Sequence, residues 1–161
     1  MILLEGEKVI LRSVDMSDID TILLWENSSA EPLYGIYDER YSREDVVQFI
    51  ENQTNYPIAQ TEQLRLMICS HEGERLGAID LCDYNGEKAG ISILIFDVYN
   101  RCKGFARNAL QLTIEYAKEI GLHTLYASIH PENHASIKLF KGVGFRQEGK
   151  MWIKNLVVSN S

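Results

Sequence analysis

Arg101-Cys102-Lys103-Gly104-Phe105-Ala106-Arg107 is the stretch on which the reading of this chain turns. Upstream runs Ile91-Ser92-Ile93-Leu94-Ile95-Phe96, apolar on both faces, the pattern of a strand placed centrally in a sheet. Downstream, Phe105, Ala109, Leu112, Tyr116 and Ile120 recur at helical spacing, and Gly121 stands where a C-cap glycine belongs. A central strand therefore ends, a short loop follows, and a long amphipathic helix begins. The first turn of a helix carries N–H groups with no intrahelical partner and the positive end of the dipole. Such a terminus suits a pyrophosphate. Gly104 removes the Cβ that would keep a phosphate off the backbone, and Ala106 keeps the next turn small. Arg101, Lys103 and Arg107 concentrate positive charge in a chain of formal net charge −7. An ordinary strand–helix turn with solvated basic residues would look the same, so this segment alone leaves both readings open.

The flanking sequence supplies the frame. Residues 125–129 read as a strand, 133–141 as a helix with Ile137 and Phe140 on one face, and Gly144-Phe145 opens another strand. Toward the N-terminus, strands 64–70, 76–82 and 89–96 form an antiparallel meander, turning at His71-Glu72-Gly73-Glu74 and at Asn85-Gly86. Residues 8–13 read as a strand. Ser17, with Asp20 three residues on, caps a helix whose buried stripe is Ile19, Ile22 and Leu23 and which ends near Asn27. A loop, 28–41, leads to a second start at Ser42-Arg43-Glu44-Asp45, followed by Val46, Phe49 and Ile50. This order predicts a mixed sheet flanked by helices, the α/β class in its mixed α+β form.

Composition sets bounds. A length of 161 residues fits a single domain, 1–161, and 45% apolar with 24% charged residues is ordinary for a globular chain. The excess of 23 acidic over 16 basic side chains argues against nucleic-acid binding and is compatible with a cationic substrate. Cys69, Cys82 and Cys102 make no disulfide framework, which fits a reducing compartment. The N-terminus becomes acidic too soon for a secretory signal, and no apolar run approaches the roughly 18 residues of a spanning helix. A cytoplasmic protein with no membrane partner is expected. The chain contains no Gly-x-x-x-x-Gly-Lys-Ser/Thr and no Gly-x-Gly-x-x-Gly. His130 and His134 are four apart, but Pro131 lies between them and no carboxylate or cysteine completes a set, so no metal is expected.

A second segment decides between the two readings of the first. Arg101-x-x-Gly104-x-Ala106, then Asn133-x-x-Ser136, then Gly144-Phe145, in order on a strand–helix–strand–helix frame, resembles the GNAT superfamily of N-acetyltransferases. Val9-Ile10-Leu11-Arg12-Ser13 and Trp25-Glu26-Asn27 resemble its branch of spermidine/diamine and ribosomal-protein N-terminal acetyltransferases. The resemblance spans about residues 8–145. It implies a mostly antiparallel sheet of about six or seven strands, with two central parallel strands splayed around acetyl-CoA. It implies that Leu94, Ile95 and Phe96 meet the pantetheine arm through backbone groups, a main-chain N–H near Phe96 polarising the acetyl carbonyl. Arg101, Cys102, Lys103, Gly104, Phe105, Ala106 and Arg107 would hold the pyrophosphate, and Asn133, Ser136 and Phe140 would contact the cofactor. The acceptor implied is a small cationic amine such as a polyamine, or a protein N-terminus, attacking directly in a ternary complex.

Two departures, and an open choice of base, qualify the resemblance. Phe140 stands where many relatives carry a tyrosine acid, and phenylalanine has no proton to give. Ser136 directly or through water, a tyrosine such as Tyr34 or Tyr37, or an unassisted thiolate are the alternatives. Glu26 and Glu31 are candidate bases for the amine and equally read as solvated surface acids, while Asp97 either shares that work or bends the strand exit. Residues 146–158 have room for little more than one strand where relatives have two, so the last strand is expected to be truncated or supplied by a partner subunit, and an unpaired edge there would invite a homodimer. Phe140 and this ending also suit a non-catalytic acyl-CoA-binding module.

Overall fold

A computed structural model describes residues 1–28 and 41–156 of the chain. The chain runs β1 (Leu3–Glu5), β2 (Ile10–Ser13), α1 (Ile19–Ser28), α2 (Arg43–Asn55), α3 (Ile58–Thr61), β3 (Leu64–Cys69), β4 (Arg75–Cys82), β5 (Lys88–Ile95), α4 (Phe105–Glu119), β6 (Thr124–Ser128), α5 (His134–Gly142), β7 (Arg146–Glu148) and β8 (Met151–Asn155). One eight-stranded sheet has the order β1-β2-β3-β4-β5-β6-β8-β7. Every neighbouring pair is antiparallel except β5 and β6, which are parallel.

Local chemistry starts most of these elements. Ser42 caps α2 by accepting from the Asp45 N–H at 3.1 Å, and Asp45 reciprocates at the Ser42 N–H at 2.8 Å. Asp15, rather than Ser17, caps the entry to α1 through a 3-10 turn at Met16–Asp18. Asp18 closes that capping box at the Asp15 N–H, 2.9 Å, and is fully buried. It also accepts from Arg12 at 2.8 and 2.7 Å and from Arg75 Nε at 2.7 Å, stapling β2, β4 and the helix entry together. Burial pushes the Asp18 carboxyl upward, but the hydrogen bonds from Arg12 and Arg75 prevail and its pKa lies below the usual value. Gly121 ends α4 at φ +87°, as its C-cap position requires.

Each sheet face has its own core. On one face Leu66, Ile68, Ile79, Leu81, Ile91 and Ile95 pack with Ala109, Leu110, Ile114 and Ala117 of α4 and with Phe140 of α5. On the other, Met67, Cys69 and Ala78 pack with Ile22 and Trp25 of α1 and Val46 and Ile50 of α2. The buried side of α4 differs from expectation. Ala109, Leu110, Thr113, Ile114 and Ala117 face inward, while Phe105, Leu112, Tyr116 and Ile120 are half-buried at its margin. The helix is turned by roughly a quarter turn from the stripe of large residues, because small side chains let it approach the sheet closely.

Two further expectations are corrected. Among the described residues the sheet has eight strands, not six or seven, because β1 adds an outer strand and the C-terminal stretch holds two. Gly149, at φ +63°, turns β7 into β8 within three-residue and five-residue strands, so residues 146–155 contain the full pair. β8 lies between β6 and β7, with Tyr126 opposite Ile153, so the expected truncated strand does not occur.

The parallel pair is short. β5 and β6 match only at Lys88↔Thr124, Ala89↔Leu125 and Gly90↔Tyr126, yet β5 continues to Ile95 and β6 to Ser128. Beyond Gly90 and Tyr126 the strands part and open a cleft whose wall on one side is the far half of β5.

Candidate active site

The uncapped start of α4 stands beyond the open end of β5. Asp97 bends the strand exit, accepting from the Tyr99 N–H at 2.9 Å to start a short 3-10 turn. Gly104 occupies the N-cap of α4 at φ +84°, no side chain caps the helix, and its first turn contains no acid. The Asn108 N–H reaches the Gly104 carbonyl at 3.1 Å, leaving the amides of residues 105–107 at the open end of the helix. A Cβ on Gly104 would sit 2.8 Å from Lys8 Nζ, so the cradle has a basic side chain at its rim.

Lys8 was not legible as a site residue. Its Nζ donates to the Lys103 carbonyl at 3.0 Å, and its N–H donates to Asn108 Oδ1 at 2.8 Å, with that of Val9 at 3.1 Å. The turn between β1 and β2 thus docks on the first turn of α4. A contact between residues about a hundred positions apart leaves no local trace in the sequence.

The predicted basic residues divide their work. Arg101 Nε donates to the Ile95 carbonyl at 3.2 Å and ties the loop to the end of β5. Arg107 turns toward the end of α5, donating to the Gly142 carbonyl at 3.3 Å. Lys103 and Cys102 are exposed, Cys102 at φ +63°, while Phe105 and Ala106 are half-buried against the core.

The rim of the cleft differs from expectation in register. The Phe96 N–H donates to the Leu76 carbonyl at 3.0 Å and is engaged with β4. Backbone direction alternates along an antiparallel ladder, so Leu94 shares that direction, and Ile93 and Ile95 face the parted β6. Of Leu94, Ile95 and Phe96, only Ile95 therefore turns its main-chain groups into the cleft. Counting from the strand's end could not give this phase; it depends on which residues pair with β4.

Across the cleft, Asn133 caps α5, its Oδ1 accepting from the Ser136 N–H at 3.1 Å, which leaves its amide nitrogen to donate outward. Ser136 is half-buried in that first turn. Phe140 is 3% exposed and packs edge-on against Phe145 at 4.9 Å, so it is part of the core on this face of the sheet.

The opposite face of the sheet carries a buried charge cluster. Arg65 lies opposite Asp80 in the β3–β4 ladder and binds it through Nε and Nη2, both at 2.9 Å. Arg65 Nη1 also meets Glu26 Oε1 at 3.0 Å, and its guanidinium lies 5.0 Å over Phe49. The Glu26 side chain is 3% exposed, and its Oε2 has no hydrogen-bond partner among the described residues. Burial raises the Glu26 carboxyl above its usual value, against the pull of Arg65. Glu26 is thus not a solvated surface acid. Its place four residues after Ile22, on the buried stripe, is the signal that could have shown this. Trp25 beside it stacks on Phe96 at 5.6 Å, joining α1 to the exit of β5. Asn27 pairs with the main chain of Tyr41 at 2.9 and 2.8 Å. Glu31, Tyr34 and Tyr37 lie outside the described residues.

Comparison with known proteins agrees with this arrangement. The acetyltransferase (GNAT) domain family matches residues 8–146. An Escherichia coli spermidine N(1)-acetyltransferase is 26% identical over 149 residues, covering 91% of this chain and 77% of that protein. An uncharacterized protein of Methanocaldococcus jannaschii is 25% identical over 91% of this chain, which spans only 30% of that protein's length. Among solved structures, spermidine N-acetyltransferase from Vibrio cholerae, in complex with CoA and spermine, superposes with a TM-score of 0.78 at 19% identity, covering 92% and 95% of the two chains. With a short parallel pair that parts beside an uncapped helix start, and a family match over most of its length, this chain belongs to the GNAT acetyltransferase family.

Proposed function

We propose that the chain transfers an acetyl group from acetyl-CoA to the primary amine of a small cationic acceptor such as a polyamine. The observation that carries this reading is the uncapped, acid-free start of α4 beside the parted end of β5. The amides of residues 105–107 offer donors to a diphosphate, and the missing Cβ at Gly104 leaves room for the Lys8 side chain beside them. Lys8, Arg101 and Lys103 add charge around it. The cleft-facing groups of Ile93 and Ile95 suit the amide-bearing pantetheine arm. Asn133 and Ser136 stand at the start of α5. In name the Escherichia coli relative acts on spermidine, which accords with the acidic balance of this chain.

Acetyl-CoA brings an activated acyl group. The residues of this chain bring the acceptor to it and move protons. The acceptor amine arrives protonated and must lose a proton before its lone pair can attack. Glu26, with a raised carboxyl and an Oε2 that has no partner among the described residues, accepts that proton on the α1–α2 face of the sheet. The new C–N bond forms as the C–S bond breaks. Ser136, on the α5 side, relays to the departing thiolate, directly or through water, the second proton that the acylated nitrogen loses. The two proton-transfer groups then act from opposite faces, with the cleft between them.

The test is acetyl transfer followed by release of the CoA thiol, with spermidine and with N-terminal peptides as acceptors. Spermidine is expected to be acetylated faster. In wild type kcat/KM rises with pH through a group above the usual carboxylate range, since Glu26 must be ionised to act. Glu26→Gln lowers the rate by about 10²-fold and removes that limb. An unchanged pH profile in the variant contradicts the role of Glu26, and CoA binding with no turnover on any amine contradicts transfer.

A further inference from the structure

Gly77 stands in β4 opposite Ile95 of β5. A Cβ on Gly77 would overlap the Leu94 carbonyl oxygen and lie 2.9 Å from Leu94 C and 3.0 Å from Ile95 Cα. All three atoms are main chain of the neighbouring strand, so no rotamer clears them. Gly77 is not among the residues with positive φ, so what the position needs from glycine is space, not backbone freedom. The Leu94 oxygen occupies the room a side chain would take. In a trans peptide the carbonyl and the following N–H point in opposite directions, which sends the Ile95 N–H away from β4. That is the side from which β6 has parted, and the Ile95 carbonyl is held there by Arg101 Nε at 3.2 Å.

We propose that Gly77 is a positioning residue for acetyl transfer. By yielding its Cβ space to the Leu94 oxygen, it sets the Leu94–Ile95 peptide so that the Ile95 N–H faces the cleft and pairs with the pantetheine arm. Gly77 touches no substrate; it acts through that one peptide plane. The inference rests on the acetyl-CoA reading above.

Calorimetric titration separates the two ideas. CoA and adenosine 3′,5′-bisphosphate, which lacks the pantetheine arm, are titrated into wild type, Gly77→Ala and Ala78→Gly. Ala78→Gly loosens the same strand without adding an atom at the pinch. Gly77→Ala is expected to weaken CoA roughly tenfold while leaving the bisphosphate within about twofold, and Ala78→Gly to preserve both affinities. Unchanged CoA affinity in Gly77→Ala overturns the proposal. So does joint loss of both ligands, by misfolding or otherwise, since the effect would not be confined to the arm. Hydrogen exchange on wild type gives an independent reading. The Ile95 amide should exchange readily in the free protein and become protected by CoA, whereas protection in the free protein would overturn the assigned orientation. Failure of wild type to bind CoA, with a readily exchanging Ile95 amide, would instead indict the cofactor reading.

Discussion

The N-termini of α2 and α4 are built from opposite choices. α2 begins with a reciprocal pair, Ser42 and Asp45, and carries Glu44 and Asp45 in its first turn. Those side chains satisfy the early amides and place negative charge against the positive end of the dipole. α4 begins with glycine, has no side-chain cap, and has no acid in its first turn. Lys8, Arg101, Lys103 and Arg107 surround it instead. A side-chain cap contributes about a few tenths of a kcal/mol more than glycine at the same position, and α4 forgoes it. It can do so because Ala109, Leu110, Thr113, Ile114 and Ala117 already anchor the helix to the sheet. α5 is intermediate, capped by Asn133 but free of acids in its first turn. The contrast teaches that a well-anchored helix can leave its start open, which suits the proposal that α4 receives an acceptor from outside the chain.

Giving α4 the character of α2 breaks the contrast most severely. Gly104→Glu fills the cradle and adds a carboxylate where phosphate would lie. CoA affinity should fall by about 100-fold or more. A side chain at φ +84° also costs about 1–2 kcal/mol, a drop of several degrees in Tm. Calorimetry and thermal melts read the two effects separately, and unaltered CoA affinity in a folded variant speaks against the cradle. Arg101→Ala has an intermediate effect. Loss of its charge and of its bond to the Ile95 carbonyl should weaken CoA by roughly tenfold and flatten the salt dependence of binding. A salt series on both proteins checks this. The smallest effect sharpens the contrast from the other side. Ser42→Ala should cost about 1 kcal/mol, a few degrees in Tm, and leave CoA affinity untouched.

Sequence patterns reached features that are local. Ser42 with Asp45, Asn85-Gly86, Gly104 before a helical stripe and Gly121 after it are each decided within a few residues, so the chemistry of one segment suffices. Features that depend on two distant segments were out of reach. Lys8 acquires its place only when the β1–β2 turn docks on Asn108. Glu26 stands on the buried stripe of α1, but the partner that holds it there is distant: Arg65, from a strand that otherwise reads as apolar. The phase of β5 hangs on the Phe96–Leu76 bond, which moved the cleft-facing groups to Ile93 and Ile95. The C-terminal pair was hidden by its brevity, since strands of three and five residues give little alternation to read. The rotation of α4 was hidden because alanine and threonine, which face the sheet, carry a weaker apolar signal than the leucine and tyrosine beside them.

The most direct measurement is a CoA titration followed by amide resonances in 1H–15N spectra. If main-chain amides at the start of α4 receive the diphosphate, the largest saturable shifts fall on residues 104–107, with Ile93 and Ile95 next, while the Ser42–Asp45 amides stay still. Saturation with residues 104–107 unmoved, or no saturable shift anywhere, would contradict it.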